Sequence, residues 1–258
     1  MLDKIFLCVK LILFLSLVII QIMRLDQELV LRNLYSSRAK AVAAINGGLV
    51  SVNGVIAKKP SQVVNDSDEI TGGALPYSVG RGSLKLAHAL DYFNVLPSGM
   101  VCLDVGASTG GFTQELLSRG ATRVYAVDVG TNQLADELRS DSRVVSLEKT
   151  DIRDLSPISS VDLIVIDVSF ISLTNIVEFL GPWGAKTVIA LIKPQFEVPR
   201  NIAAKFNGII KSGEWHQYSV NNVVESFKKY GFDNVGVTPS PIHGGSGNTE
   251  FLGCFIKK

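Results

Sequence analysis

Five charged residues stand where the strands of a predicted sheet end. Each of them closes or follows a short apolar run, and they are Asp104, Asp128, Asp151, Asp167 and Lys193. Ligands of open α/β sheets bind outside the carboxyl ends of the strands, so these side chains are expected to share one rim. A single acidic strand end would read as an ordinary surface charge, but five at successive strand ends indicate a site. Four carboxylates and one amine can attract a cationic ligand and move a proton.

The loop after the first of these strands indicates the kind of ligand. Residues 100–111 read Met-Val-Cys-Leu-Asp-Val-Gly-Ala-Ser-Thr-Gly-Gly, so that a buried strand ending near Asp104 is followed by Gly106, Ser108, Gly110 and Gly111. The dinucleotide fingerprint Gly-x-Gly-x-x-Gly lacks its second glycine here. A carboxylate inside the strand end suits a cation better than a pyrophosphate. The pattern favours S-adenosyl-L-methionine, which carries an amine and a sulfonium, over a βα turn without a ligand.

Two further carboxylates are candidates for cofactor binding. Asp128 lies about 20 residues after the loop, where a carboxylate can accept both hydroxyls of a ribose. Asp151 follows the next predicted strand and is expected at the same rim.

The elements that must position these residues alternate along the chain. Strands are predicted at residues 101–105, 123–128, 143–147, 162–168, 187–192, 234–239 and 250–256. Helices are predicted at residues 81–94, 112–119, 133–138, 173–179 and 213–229. This alternation predicts an α/β fold, a Rossmann-like and mainly parallel sheet with helices on both faces. The last two strands follow each other closely, which predicts an antiparallel edge.

Residues 23–70 are predicted to form a smaller α+β domain, joined to residues 81–258 by a linker at 71–80. The pattern gives a helix up to residue 33, a helix at 38–46 capped by Ser36 or Ser37, strands at 49–52 and 55–58, and a strand at 63–70. Asn53 and Gly54 form the hairpin turn. Six basic residues make up one candidate face for phosphate contacts: Arg24, Arg32, Arg38, Lys40, Lys58 and Lys59. On charge alone, an ordinary solvated surface is the simpler interpretation.

This smaller domain resembles the alpha-L RNA-binding module. The resemblance rests on Arg24-Leu-Asp-Gln, Ser37-Arg38-Ala-Lys40-Ala and Gly48-Leu-Val-Ser-Val-Asn53-Gly54. It implies that the six basic residues contact RNA, with salt-sensitive affinity.

The larger domain resembles the FtsJ-type ribose 2′-O-methyltransferases, and the order of the two domains resembles the TlyA (hemolysin A) family. The motifs are Gly82-Ser-Leu-Lys85-Leu, Leu103 to Thr113, Asp167 to Leu173, Leu191-Ile-Lys193-Pro-Gln-Phe-Glu197 and Gly247-Asn-Thr-Glu250-Phe-Leu. The chain departs from the family at Gly80-Arg81-Gly82-Ser83, where Ser-Arg-Gly-Gly is usual, and in residues 198–212. The family methylates cytidine ribose in ribosomal RNA with S-adenosyl-L-methionine.

The resemblance implies a tetrad of Lys85, Asp167, Lys193 and Glu250. A ribose hydroxyl must lose its proton near the attack on a methyl carbon, and a lysine held as a neutral amine can take it. Nearby positive charge would favour that neutral form. We expect Lys193 to be the base, Asp167 and Glu250 to orient it, and Lys85 and Glu250 to position the substrate. Phe170 and Phe196 flank this site and could stack on a displaced base.

Composition sets outer bounds on the function. The chain has 258 residues, 47% of them hydrophobic, and a formal net charge of +1, which neither requires nor excludes a local RNA-binding face. Cys8, Cys102 and Cys254 lack metal or disulfide spacing and favour a reducing compartment, the cytoplasm. The three histidines share no metal-ligand spacing, so no metal is expected. Ribosomal RNA or a ribosomal subunit is the expected partner, and self-association is left open.

Residues 1–22 are strongly apolar and conflict with that compartment. They can be a signal-like segment, a membrane anchor, or an extension upstream of a true start at Met23, and we favour the last. Three alternative functions follow from these observations: an RNA-binding protein with an inactive methyltransferase fold, a membrane-active hemolysin, and a nicotinamide-dependent dehydrogenase. The complete tetrad disfavours the first, the position of the apolar segment outside both domains disfavours the second, and Ser108 in place of glycine disfavours the third.

Overall fold

The protein is described by a computed structural model that covers residues 23–35, 37–72 and 80–258. The chain divides into two units between residues 77 and 78, and each is described by itself. The predictions for residues 1–22, for Ser36 as a helix cap and for most of the linker lie outside the described residues. No helix in the described ranges is long and apolar enough to cross a membrane.

The smaller unit is built from two helices and two small antiparallel sheets. Its elements are β1 (Met23–Arg24), α1 (Leu25–Leu31), α2 (Arg38–Asn46), β2 (Val50–Val52), β3 (Val55–Ile56), β4 (Val63–Val64) and β5 (Ile70–Gly72). Strand β2 pairs with β3 and β5, and β1 pairs with β4. Asn53 and Gly54 both have positive φ, 51° and 78°, which is the geometry of the predicted two-residue hairpin turn. Leu25, Leu29 and Ile45 are fully buried between the helices and strands.

The single strand predicted at residues 63–70 is wrong, because side chains interrupt it. The Asp68 carboxylate accepts the Asn65 backbone N–H, and the Asn65 side chain accepts the Ser67 N–H. Such local bonds offer the backbone a turn in place of a ladder. The two halves therefore join different sheets, β4 with β1 and β5 with β2.

The larger unit carries the alternation that the sequence predicts. Its elements are α3 (Gly82–Tyr92), β6 (Val101–Val105), α4 (Gly111–Ser118), β7 (Arg123–Val127), α5 (Asp136–Arg139), β8 (Val144–Leu147), β9 (Leu163–Ile166), β10 (Thr187–Ile192), α6 (Pro194–Glu197), α7 (Arg200–Lys205), α8 (Gly213–Lys229), β11 (Phe232–Pro239) and β12 (Phe251–Lys257). The seven strands form one sheet in the order β11-β12-β10-β9-β6-β7-β8. Strands β10, β9, β6, β7 and β8 are mutually parallel, while β12 is antiparallel to β10 and to β11. The predicted Rossmann-like sheet and its antiparallel edge are confirmed.

Both faces of this sheet are covered, which explains the continuous apolar runs. Leu103 and Val105 of β6 pack into one buried cluster, and Cys102, on the opposite face, packs into the other. Successive strand residues point to opposite faces, so a strand buried on both sides reads as apolar throughout. Cys102 and Cys254 are buried, as expected, and burial raises the pKa of the Cys102 thiol to about 12.

Two predicted helices differ in the structure. Residues 133–138 begin as a turn because the backbone N–H groups of Gln133 and Leu134 donate to Glu148, and the helix runs only over Asp136–Arg139. Residues 173–179 form short 3₁₀ turns at Leu173–Asn175 and Val177–Phe179, followed by a third at Gly181–Trp183. The buried side chains there recur every three residues, as in Val177, Leu180 and Trp183, which matches the 3₁₀ period. The short helices α6 and α7 were not predicted.

Candidate active site

The first strand-end carboxylate lies at the bottom of the glycine loop. Asp104 is 0% exposed, and its Oδ2 accepts a 2.6 Å hydrogen bond from the Thr113 hydroxyl. Its Oδ1 has no hydrogen-bond partner within the described residues. Burial raises the pKa of Asp104 to about 7, and the negative charges of Asp167 and Asp128 act in the same direction. A buried, half-satisfied carboxylate of this kind fits a ligand that brings positive charge.

The glycine loop is shaped by close packing as much as by any ligand. Gly106 has a φ of 84°, and a Cβ there would lie 2.5 Å from the Asp167 carbonyl oxygen. Gly110 has a φ of 100°, and a Cβ there would meet Leu138. Gly111 lies against the start of helix α3, and Ser108 adopts a positive φ of 48°. The loop thus brings β6, β9 and α3 together at one rim.

Asp128 is held in place by the same loop. Its Oδ2 accepts the Ser108 N–H at 2.8 Å, and its Oδ1 accepts the Gly130 N–H at 2.7 Å. Each carboxylate oxygen has a second lone pair, so both can still accept a ribose hydroxyl. Asp151 differs, because Arg153 binds both of its oxygens, and hydrogen bonding to that guanidinium lowers the pKa of Asp151.

The four residues of the predicted tetrad form two ion pairs. Lys85 Nζ donates to Glu250 Oε2 at 2.6 Å, and the side chains are 10% and 3% exposed. Lys193 Nζ lies 2.6 Å from Asp167 Oδ1, a contact whose angles fall outside those of a hydrogen bond. Lys193 therefore has Asp167 as its partner, as expected. The expectation that Glu250 also orients Lys193 is not met, because Glu250 is engaged by Lys85.

Adjoining cavities surround these pairs. One of about 430 Å³ is bordered by Gly106, Ser108, Asp128, Asp151 and Asp167, and a smaller one of about 190 Å³ lies between the glycine loop and Lys193. A third, of about 400 Å³, contains Lys85, Lys193 and Glu250. The first has the size of a small-molecule site and is lined by carboxylates, so it fits S-adenosyl-L-methionine.

Two side chains near the tetrad were not singled out by the sequence. Ser169 accepts a 2.9 Å hydrogen bond from Lys193 Nζ. Glu197 is buried at the end of α6, where its carboxylate accepts from the Ser172 hydroxyl and the Leu173 N–H. Burial raises the pKa of Glu197. Ser169 and Glu197 both lie inside motifs that the sequence shows, but a motif does not indicate which of its side chains form hydrogen bonds in the folded protein.

Phe170 and Phe196 border the cavity that contains Lys85, Lys193 and Glu250. Phe170 is 91% exposed and has a φ of 66°, which is rare for a bulky residue. Its ring lies 5.3 Å from that of Phe196.

No group of three or more metal-ligating side chains is arranged to hold an ion in the described ranges.

The basic residues of the smaller unit fall into two groups. Arg24 and Arg38 both bind the buried Asp26, and hydrogen bonding to Arg24 lowers the pKa of Asp26 to about 2. Arg32 binds Glu28 and the backbone of the turn at residues 65–68. The side chains of the three lysines are exposed and make no hydrogen bond or ion pair within the described part of the chain: Lys40, Lys58 and Lys59.

Comparisons with known proteins agree with this arrangement. The profile of the FtsJ-like methyltransferases matches residues 78–257, and that of the S4 domain matches residues 23–70. The chain is 42% identical to the 16S/23S rRNA (cytidine-2′-O)-methyltransferase TlyA of Mycobacterium tuberculosis, over 89% of this chain and 88% of that protein. It is 40% identical to Hemolysin A of Brachyspira hyodysenteriae, over 91% of this chain and 100% of that protein.

A solved structure extends the likeness to three dimensions. A hemolysin structure from Streptococcus thermophilus is 40% identical, covers 93% of this chain and 90% of its own, and superposes with a TM-score of 0.68. The identity, the coverage and the order of the two domains all agree. The chain therefore belongs to the TlyA family of FtsJ-like methyltransferases that carry an amino-terminal S4 domain.

Proposed function

We propose that this protein transfers a methyl group from S-adenosyl-L-methionine to a ribose 2′-hydroxyl, that of a cytidine in ribosomal RNA. The relative from M. tuberculosis is named for that reaction, and this chain retains all four residues of the tetrad. An RNA substrate of this kind is met in the cytoplasm, which is the location we propose.

The observation that carries the proposal is the position of Lys193. Of the tetrad, Lys193 borders both the small cavity beside the glycine loop and the cavity that holds Lys85 and Glu250. A base for this reaction must stand between the methyl donor and the hydroxyl, within hydrogen-bond reach of the hydroxyl. Asp167 borders the 430 Å³ cavity that fits the cofactor, whereas Lys85 and Glu250 border the 400 Å³ cavity on the other side of Lys193. Asp167 and the Lys85–Glu250 pair therefore have different tasks.

The cofactor would be held by the residues of the rim. Asp128 would accept its ribose hydroxyls, Asp104 would compensate its positive charge, and Gly106 would let the backbone approach. S-adenosyl-L-methionine supplies an electrophilic methyl group on a sulfonium. Lys193 takes the hydroxyl proton, Asp167 stabilises the ammonium that results, and the Lys85–Glu250 pair positions the ribose. Phe170 would stack on the displaced base.

The smaller unit would supply affinity for RNA without reading its sequence. Exposed lysines meet phosphates and release counterions, so binding of this kind weakens steeply as salt rises. The 2′-hydroxyl itself distinguishes RNA from DNA at the reacting atom.

Lys193→Ala tests the proposal. The variant should bind S-adenosyl-L-methionine with nearly unchanged affinity, measured by calorimetry, and should transfer no methyl group to ribosomal subunits that lack the mark. The methylated nucleotide is mapped by alkaline hydrolysis, because a 2′-O-methyl group protects the adjacent phosphodiester bond from cleavage. Full activity of the variant, or a product methylated on the base, would contradict the proposal.

A further inference from the structure

Lys193 has a second partner besides Asp167. Its Nζ donates to the Ser169 hydroxyl oxygen at 2.9 Å. Ser169 lies two residues after Asp167, on the segment that leaves the end of β9, and its side chain is exposed. Lys193 is only 8% exposed, so few other groups can reach its Nζ.

Ser169 also stands where the cavities meet. It borders the 430 Å³ cavity, the 190 Å³ cavity beside the glycine loop and the 400 Å³ cavity that holds Lys85 and Glu250. A hydroxyl at this junction is close to any atom that passes between donor and acceptor. Its contact with Lys193 is therefore made at the reacting end of that side chain.

The directions around Nζ are limited. A lysine ammonium has three N–H groups at tetrahedral angles, and the neutral amine has two N–H groups and one lone pair. Ser169 accepts along one of these directions, whereas the Asp167 carboxylate lies 2.6 Å from Nζ as an ionic contact outside hydrogen-bond angles. Two directions remain for the second N–H group and the lone pair of the neutral amine. The negative charge of Asp167 repels the lone pair from the side of the carboxylate, so the lone pair takes the direction away from it.

We propose that Ser169 is a positioning residue for the reaction: together with Asp167 it fixes the rotation about the Cε–Nζ bond, so that the lone pair of Lys193 faces the ribose hydroxyl. This inference rests on the proposed function. The hydroxyl oxygen bonds to the methyl carbon as the carbon–sulfur bond breaks and leaves its electron pair on sulfur. The hydroxyl proton passes to Lys193 Nζ along the direction that Asp167 and Ser169 leave open.

Three full-length variants test this role. Ser169→Ala removes the acceptor, and we expect kcat on ribosomal subunits to fall roughly 5- to 100-fold, because a misdirected base loses alignment with the proton. The dissociation constant for S-adenosyl-L-methionine and the melting temperature should stay close to those of the wild type. Ser169→Thr keeps the hydroxyl at an exposed position and should restore most of kcat. Ser118→Ala is the control, since that hydroxyl donates to the Glu115 carbonyl at the end of α4 and makes no other hydrogen bond in the described ranges.

Each other outcome overturns the inference. If Ser169→Ala kept the kcat of the wild type, Ser169 would not position Lys193. If Ser169→Thr were as slow as Ser169→Ala, the hydroxyl would not be the group on which kcat depends. Loss of cofactor binding in parallel with kcat would assign Ser169 to the cofactor site instead. Failure of the proposed function is a separate result, because then the wild type itself would place no methyl group on a 2′-hydroxyl.

Discussion

Two glycines with nearly the same backbone conformation allow one contact of the site to be tested alone. Gly106 has a φ of 84° and Gly99 a φ of 80°, so alanine is strained at both. A Cβ at Gly99 would meet nothing within 4 Å. A Cβ at Gly106 would lie 2.5 Å from the Asp167 carbonyl oxygen, 2.9 Å from its carbonyl carbon and 3.2 Å from Val168 Cα. The difference between Gly106→Ala and Gly99→Ala therefore reports the close approach of the glycine loop to Asp167.

The expected magnitudes follow from these distances. Left-handed backbone strain costs an alanine about 1–2 kcal/mol at either position. At Gly106 the Asp167 peptide must also retreat by at least roughly 0.5 Å, because real Cβ atoms essentially never approach closer than 3.0 Å. The preceding peptide is bonded to β6, because the Asp167 N–H donates to the Val105 carbonyl oxygen at 2.9 Å. A shift of this size moves the carboxylate that holds Lys193, and a displacement approaching 1 Å can lower the rate by roughly 10²-fold.

The assay is the initial rate of 2′-O-methylation at saturating S-adenosyl-L-methionine, with thermal unfolding of each variant measured alongside. Gly99→Ala should keep kcat within about 2-fold of wild type despite its loss of stability. Gly106→Ala should lose roughly 10- to 100-fold in kcat at a temperature where both variants are folded. Equal kcat in the two folded variants would refute the claim that this contact sets the position of Asp167.

Three further predictions concern charge. Glu250→Gln should lower the free energy of unfolding by about 3 kcal/mol in chemical denaturation, because the buried Lys85 ammonium then faces a neutral amide. Affinity for S-adenosyl-L-methionine, followed by calorimetry, should fall as the pH drops below about 7, where Asp104 gains a proton and its charge is lost. The folded-state pKa of Asp104 lies above its ordinary value of 3.8. Asp104 therefore contributes to the stability of the cofactor-free protein at pH values below 3.8, and this contribution is lost as the pH rises through about 7. Replacing the exposed lysines Lys40, Lys58 and Lys59 by glutamine should weaken RNA binding at an unchanged melting temperature. The slope of the logarithm of the binding constant against the logarithm of the salt concentration should become shallower by roughly 2.

Each of these predictions has a control. Arg143→Gln breaks an exposed pair with Asp141 and should cost less than about 1 kcal/mol, so an equal loss in Glu250→Gln would speak against burial as the cause. Asp104→Asn should bind the cofactor weakly at every pH, and a pH dependence that persists would point to another group. Arg38→Gln should lower stability because it removes a bond to the buried Asp26, and a change in salt slope alone would assign that arginine to RNA.

The sequence predicts the rim of the site well because strand ends obey a simple rule. A strand buried on both faces shows itself as an apolar run, and the first charged residue after it must lie where the sheet ends. Asp128 directly follows β7 in this way, whereas Asp104 lies inside β6, one residue before its end and in register with Ala126 of β7. The parallel order of the sheet follows from the alternation with helices, and the antiparallel edge follows from two late strands with a short bend between them.

The pairing of charges could not be predicted in the same way. Arg24 and Arg38 read as a basic face until the structure shows both bound to Asp26, which is buried in the first turn of α1. Glu250 pairs with Lys85 across 165 residues of chain, a contact that no local pattern encodes. A charge in a sequence states what a side chain can do, whereas its partner depends on register and packing that only the folded chain has.

Glu197 shows how the fold fixes the distances between residues that come from separate elements. Asp167 and Ser169 lie on the segment after β9, whereas Lys193 closes β10 and leads into α6. Glu197 ends α6 and reaches back to the Ser172 hydroxyl at 2.5 Å and the Leu173 N–H at 2.9 Å, so it ties one segment to the other. A buried carboxyl is costly unless its hydrogen bonds are made, and these bonds require the two segments to stay in register. Lys193, Asp167 and Ser169 thus keep their geometry because Glu197, which lies outside the cavity of Lys85, Lys193 and Glu250, would lose these hydrogen bonds if β9 slipped against β10.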